Sequence, residues 1–396
     1  MDTNSKHLQV TRRTAILGAS IAAASVTVAG SAQAANSSAT PIRYAYVGCR
    51  TTRARNARGD GLAVFRIDPS SRAWTLQQTH ACENPSFLAF NKAGDRLYTV
   101  HGDMTELSAF KVDRKTGGIS LINTAPCNGR NPVHLAFDPS GRFLVVANHI
   151  TKEEAVSNVS TVAVEQDGSL GKVVSTIELP GKIGPHRVEQ PFSKPHQCLF
   201  DPSGKLIVVP DKGLDRVFAL TLTVDGQLQR VEPNSAIARE GSGPRHIVYH
   251  PTLPFLFVIN ELTSTVMSCR YDPATGEITP IQELSSLPDT FIAFNRAAEI
   301  DISPEGSYIY VSNRGHESIA TFSFERATGR LSSVGWTKCL GETPRFFNLS
   351  PDARELYVAN ETSDTIVRFV RHADNGVVAR GEVVAKTGSP TCILFA

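Results

Sequence analysis

The segment GPRHIVYHPTLPFLFVINE, Gly243 to Glu261, reads as a β-hairpin: one apolar run opens at Pro244 and a second closes on a small polar cluster at Asn260. Five other segments share the plan. They are NPSFLAFNKAGDRLYTVHG from Asn84, NPVHLAFDPSGRFLVVANH from Asn131, KPHQCLFDPSGKLIVVPDK from Lys194, RAAEIDISPEGSYIYVSNR from Arg296 and TPRFFNLSPDARELYVANE from Thr343. From the leading residues Pro85, Pro132, Pro195, Pro244, Ala297 and Pro344, the polar cluster starts 16 residues later in every case, at His101, Asn148, Asp211, Asn260, Asn313 and Asn360. A register held that tightly marks one supersecondary unit copied around an axis.

After each hairpin come two further alternating runs with a turn between them, as in SAFKVDRKTGGISLI and SCRYDPATGEITPI. Each unit is therefore four short antiparallel strands, repeating at steps of 47, 63, 49, 53, 47 and 46 residues from Pro85 to Pro390. Four strands at a period near ~50 define the blade of a β-propeller. The C-terminal SPTCILFA supplies only a first strand, while RYAYVG, GLAVFRID and AWTLQQ near the N-terminus supply three strands and no first one. Together they predict a seventh blade and a ring closed by both termini, which leaves no free sheet edge. The expected fold is an all-β, seven-bladed propeller occupying residues 41–396 as one domain.

Residues 1–34 read as a twin-arginine-type export signal. Arg12-Arg13 precedes an apolar stretch from Ala15 to Gly30, then a small-x-small cleavage site at Ala32-Gln33-Ala34. The mature protein is expected in the periplasm or outside the cell, with no membrane attachment after cleavage. Charge is balanced, 40 basic against 38 acidic residues, and no basic stripe points to nucleic acid. Arg50, Arg53, Arg55 and Arg58 read as a solvated loop. The seven cysteines form no CxxC pair and read as small buried hydrophobes.

Chemistry is expected where the repeats disagree. In a propeller the first strand of each blade lines the channel, so residues beside the leading proline and the closing cluster share one mouth. The first position after the leading residue reads Ser86, Val133, His196, Arg245, Ala298 and Arg345. The second reads Phe87, His134, Gln197, His246, Glu299 and Phe346. The closing clusters add His149, Lys212, Glu261, Arg314 and Glu361. Asn148, Asn313 and Asn360 are assigned to turn chemistry. His134, His149, His246 and Glu261 follow no recognised metal-ligand spacing, and neither metal nor cofactor is expected. The longest step between repeats includes PGKIGPHRVEQPFS, Pro180 to Ser193, which either overhangs the mouth or is a passive surface loop.

SKPHQCLFDPSG, GSGPRHIVYHP, FVINELTSTV and ETPRFFNLSPDARELYVAN resemble the seven-bladed lactonase family of 6-phosphogluconolactonases and carboxymuconate cyclases, from about Arg43 to the C-terminus. The endings YVAN and YVSN also resemble the broader YVTN propellers. The resemblance implies lactone hydrolysis with His196, Arg245, Glu261 and, from its PR pair, Arg345 as catalytic residues; His134, His149, His246, Glu299 and Arg314 are expected to bind substrate. Lactone hydrolysis requires a carbonyl stabiliser, a base for water and an acid for the departing alkoxide. Arginine suits the first role, so Arg245 and Arg345 take it, Glu261 is the expected base and His196 its acid/base partner. On that reading Glu261→Gln removes the base with little loss of stability. The same residues could run the reverse addition on an unsaturated diacid, and a non-catalytic binding propeller is the other alternative.

Overall fold

The computed structural model describes residues 43–149 and 157–396; the expected export signal lies outside these. Seven four-stranded antiparallel sheets follow one another around the ring. The closing blade is assembled as predicted, with Pro390–Phe395 hydrogen-bonded to Tyr44–Cys49, then Leu62–Ile67 and Trp74–His80 outward. Among the described residues the only helical element is the short turn Arg53–Arg55, and no helix is long and apolar enough to cross a membrane.

The 16-residue spacing is the pairing register itself. Pro85 faces His101, Pro132 faces Asn148, Pro244 faces Asn260, Ala297 faces Asn313 and Pro344 faces Asn360, and an isolated bridge joins Pro195 to Asp211. One feature escaped the sequence pattern. Immediately after the leading proline the register slips, between Pro85 and Phe87, Pro132 and His134, Pro244 and His246, and Pro344 and Phe346. The skipped residue is a β-bulge, which bends the strand and re-aims its side chain. The closing blade repeats the slip between Pro390 and Cys392, so five bulges fall in sequence-equivalent places.

The blade that carries His196 departs from the repeat. Its inner strand is reduced to Leu199–Phe200, whereas the other inner strands run six or seven residues. The channel wall there is held by the bridge at Pro195 and by His196, whose backbone N–H donates to the Pro210 carbonyl at 3.0 Å.

The middle strands are apolar on both faces because each is covered by neighbouring blades; Phe255–Asn260 and Glu355–Asn360 are buried at every residue. Core clusters therefore sit at blade junctions. That around the closing blade draws Tyr46, Phe65 and Trp74 together with Phe110 of the next blade and Tyr357 of the preceding one. Burying side chains of this size contributes roughly 1.5–3 kcal/mol each, so the junction secures the closure more than the strand pairing alone. All seven cysteines are free thiols and six are buried, in keeping with a packing role.

Candidate active site

One mouth of the channel opens into a polar cleft of about 360 Å³, within the range of small-molecule sites. Its wall combines His149, Lys194, His196, Lys212, Glu261, Arg296, Arg314 and Arg345 with Arg50, Arg55 and Glu189. Larger hollows, about 530 and 760 Å³, lie around Arg96 and along the turn 111–120, and bring no comparable set of groups together. Here chemistry outweighs volume.

Glu261 is the centre of charge. It ends the strand pair that Arg245 begins, and the register brings them together, Arg245 Nε standing 3.2 Å from Glu261 Oε2 with both side chains 4% exposed. Lys212 Nζ lies 2.7 Å from Oε1, Arg314 Nη2 3.4 Å from Oε2, and Arg296 Nη1 3.8 Å from Oε1. Burial alone would raise this carboxyl. Lys212, Arg314 and Arg245 together outweigh it and hold Glu261 well below the usual carboxylate range. The group is ionised at neutral pH and both of its oxygens face cations, which leaves neither free to take a proton from water.

Arg245 is not on the cleft wall. Its Nη1 donates to the Ala298 carbonyl at 2.5 Å while its Nε faces Glu261, so it lies behind the glutamate. Burial, with Arg314 and Arg345 nearby, lowers its pKa to about 9. Five arginines do face the cleft: Arg50, Arg55, Arg296, Arg314 and Arg345. Arg314 donates to the Ala297 carbonyl at 2.8 Å, and Arg345 stands 3.6 Å from Glu361, the counterpart of Glu261 in the last full blade.

His196 and His149 meet edge to face at the wall, ring centroids 4.9 Å apart. The Nδ1 atom of each is buried and has no hydrogen-bond partner among the described residues. Burial depresses both imidazoles well below the ordinary value; Arg245 and His149 add to the effect on His196, and Lys212 and Lys194 to that on His149. They are neutral at physiological pH.

His134, His246 and Glu299, expected to touch substrate, do not line the cleft. They occupy the second ring position, one layer further into the channel, where Phe87 packs on His134 at 4.2 Å and His246 sits 5.1 Å from His196. Of the bulged first-position residues, Val133 and Arg345 line the cleft whereas Ser86 and Arg245 do not. His246 Nδ1 is 2.7 Å from Glu299 Oε1. Burial raises the Glu299 carboxyl to about 7 and depresses His246, so the imidazole is neutral while the carboxyl titrates around neutral pH.

The arginine-rich segment also differs from expectation. Arg50 is buried and pairs with Glu361 at 3.1 Å, and Arg55 pairs with Asp103 at the cleft wall. Arg53, Arg55 and Arg58 are exposed and match the solvated reading, so only Arg50 departs from it; Arg58 pairs with Asp364 at 2.6 Å. Sequence reasoning also gave no site role to Lys194, Glu189 or Arg296. Lys194 and Arg296 immediately precede the leading residues Pro195 and Ala297, so the repeat register one step upstream was their available signal. Among the described residues no group of three or more His, Cys, Asp or Glu side chains is arranged to hold a metal ion.

A closed propeller with a polar cleft at one mouth has the architecture of a small-molecule site. Residues 44–395 match the family described as Lactonase, 7-bladed beta-propeller, and the chain belongs to that family of lactone-hydrolysing enzymes. It is 30% identical over 354 residues to the 6-phosphogluconolactonase of Bacillus subtilis, covering 88% of this chain and 97% of that one. It is 31% identical over 330 residues to the 6-phosphogluconolactonase of Formosa agariphila, covering 80% and 90%. The solved structure of the periplasmic gluconolactonase of Pseudomonas aeruginosa superposes with a TM-score of 0.80 at 26% identity, covering 89% of this chain and 99% of that one.

Proposed function

We propose that this chain is an exported lactonase that hydrolyses a sugar-type lactone without a metal, using His196 as the proton carrier at the channel mouth. The observation that carries the reading is a neutral imidazole in the cleft wall, beside Arg314 and Arg345 among the five arginines there. Glu261, saturated by cations, is better suited to holding Lys212, Arg245 and Arg314 in place than to accepting a proton.

In this mechanism the lactone carbonyl oxygen lies against Arg314 and Arg345, fixed cations that stabilise the negative charge developing on it. The neutral His196 takes a proton from water as the water oxygen bonds to the carbonyl carbon. When the tetrahedral intermediate collapses, the bond to the ring oxygen breaks and the imidazolium returns the proton to that oxygen. The products are an alcohol and a carboxylic acid, which ionises next to the same arginines. Positive charge at the carbonyl is supplied by the protein itself, the basis for proposing that no metal is needed.

Export is supported by Arg12-Arg13 ahead of the apolar stretch and by the likeness to a gluconolactonase named as periplasmic. A phosphorylated sugar lactone is less suited to that compartment than an unphosphorylated one.

The test is His196→Asn, purified, folded by circular dichroism and assayed on the best of a panel of sugar lactones. Turnover is expected to fall by about 10² to 10⁴, the usual worth of a positioned acid/base, and wild-type activity is expected to survive chelator. Full turnover in the variant would reject His196 as the proton carrier, and loss of wild-type activity with chelator would reject metal independence. Fractionating the producing cells, with Arg12 and Arg13 both replaced by Lys as control, tests export.

A further inference from the structure

Glu189 lies outside the ring positions that define the cleft, yet its carboxylate is among the best-connected groups there. Oε1 is 2.6 Å from Arg296 Nη2 and Oε2 is 2.9 Å from Lys212 Nζ. The segment that presents it is seated by other means. Gln190, 1% exposed, donates from Nε2 to the Lys212 carbonyl at 2.9 Å and to Asp215 Oδ1 at 2.7 Å, while the Gly184 N–H donates to the Gly213 carbonyl at 2.9 Å. Phe192 O packs so closely on Gly213 that a Cβ there would stand 1.8 Å away. The position of Glu189 is therefore separable from its charge.

The remaining cleft ion pairs show what that charge does. Arg50 and Arg345 share Glu361, Arg55 pairs with Asp103, and Arg314 faces Glu261. Lys212 divides itself between Glu261 and Glu189, and Arg296 has its close contact with Glu189, its distance to Glu261 being 3.8 Å. Without Glu189, Lys212 and Arg296 would form a two-cation pocket at the rim, the usual recognition chemistry for a phosphate or carboxylate. A phosphate of charge about −2 could reach these cations only by displacing a carboxylate or by standing against it. An uncharged hydroxyl hydrogen-bonds to the ion pair as it stands.

We propose that Glu189 determines specificity: it is an internal carboxylate that fills the Lys212–Arg296 anion subsite, so that the site favours lactones uncharged at that end over phosphorylated ones. The inference rests on the lactonase reading above and narrows its substrate class.

The test compares wild type with Glu189→Gln, and with Glu189→Ala should the first not fold, on glucono-δ-lactone and its 6-phosphate. Removing the carboxylate is expected to raise the ratio of kcat/KM for the phosphorylated over the unphosphorylated lactone about tenfold, the order of effect of one charge facing a charged ligand at close range. Adding Arg296→Gln is expected to abolish that gain. Calorimetric binding of gluconate and 6-phosphogluconate to the same proteins gives a readout independent of turnover, with the same expected shift in ratio. An unchanged ratio, or one that moves toward the unphosphorylated ligand, overturns the role of Glu189. Turnover of neither lactone by any form would instead sink the lactonase reading, and the binding ratio would still decide the subsite.

Discussion

Glu261 and Glu299 lie on neighbouring blades, both almost fully buried, and burial drives both carboxyls upward; yet one is held well below the carboxylate range while the other rises to about 7. The difference lies in the neighbours. Glu261 sits at the mouth among Lys212, Arg245 and Arg314, whose attraction exceeds the cost of desolvation. Glu299 sits one layer inward against a neutral His246, where Arg245 and Arg345 lower it only in part. The channel is thus strongly charged at its rim and less so beneath, and the neighbours each carboxyl meets decide the difference.

The largest test of this contrast is Glu261→Gln. It leaves Lys212, Arg245 and Arg314 buried without their common counter-charge, so urea denaturation at pH 7 is expected to show a loss of about 3–5 kcal/mol, the cost of breaking a buried ion pair from one side. This replaces the sequence expectation of a stable, merely inactive variant. A loss under about 1 kcal/mol would show that water or rearrangement screens the cluster.

Glu299→Gln should behave oppositely, and its effect depends on pH. A carboxyl whose folded pKa is raised from 4.5 to about 7 keeps its proton in the native state, so its contribution is fully present below pH 4.5 and is lost as pH rises through 7. The amide variant is neutral throughout. Its stability relative to wild type is therefore expected to climb between pH 4.5 and 7 and to level off above, by up to about 3 kcal/mol. A difference independent of pH would mean that Glu299 ionises in the same range folded and unfolded.

The smallest expected effect concerns His196 itself. With its imidazole depressed well below 6.5, the proton acceptor is already in its working form at neutral pH. The kcat/KM of the best lactone should change by less than about twofold from pH 6.5 to 7.5 and fall only on further acidification. An acid limb centred at 6.5 or above would show that His196 is not desolvated in the working enzyme, or that another group carries the proton.

The fold was legible because repetition is a sequence property. A constant 16-residue interval reports a strand register directly, and the missing first strand at one end with the lone strand at the other reports closure. The pairing of Arg245 with Glu261 followed from the same register. Less of the site could be read this way. The bulges beside the leading prolines have no residue signature, since Ser, Val and Arg all occupy the bulged position.

Arg50, Arg55 and Glu189 show the same limit from another side. They come from a connection and an insertion outside the repeat, so periodicity says nothing of where they point, and Arg50 reaches Glu361 across more than 300 residues of chain. By itself the sequence determined the seven blades, their order, the closure and the pairing of Arg245 with Glu261, because strand pairing is local and repeats. Only the tertiary structure decided which residues face the cleft and which are charged, because those outcomes depend on distances between blades and on the balance of desolvation against partners that only the closed ring brings together.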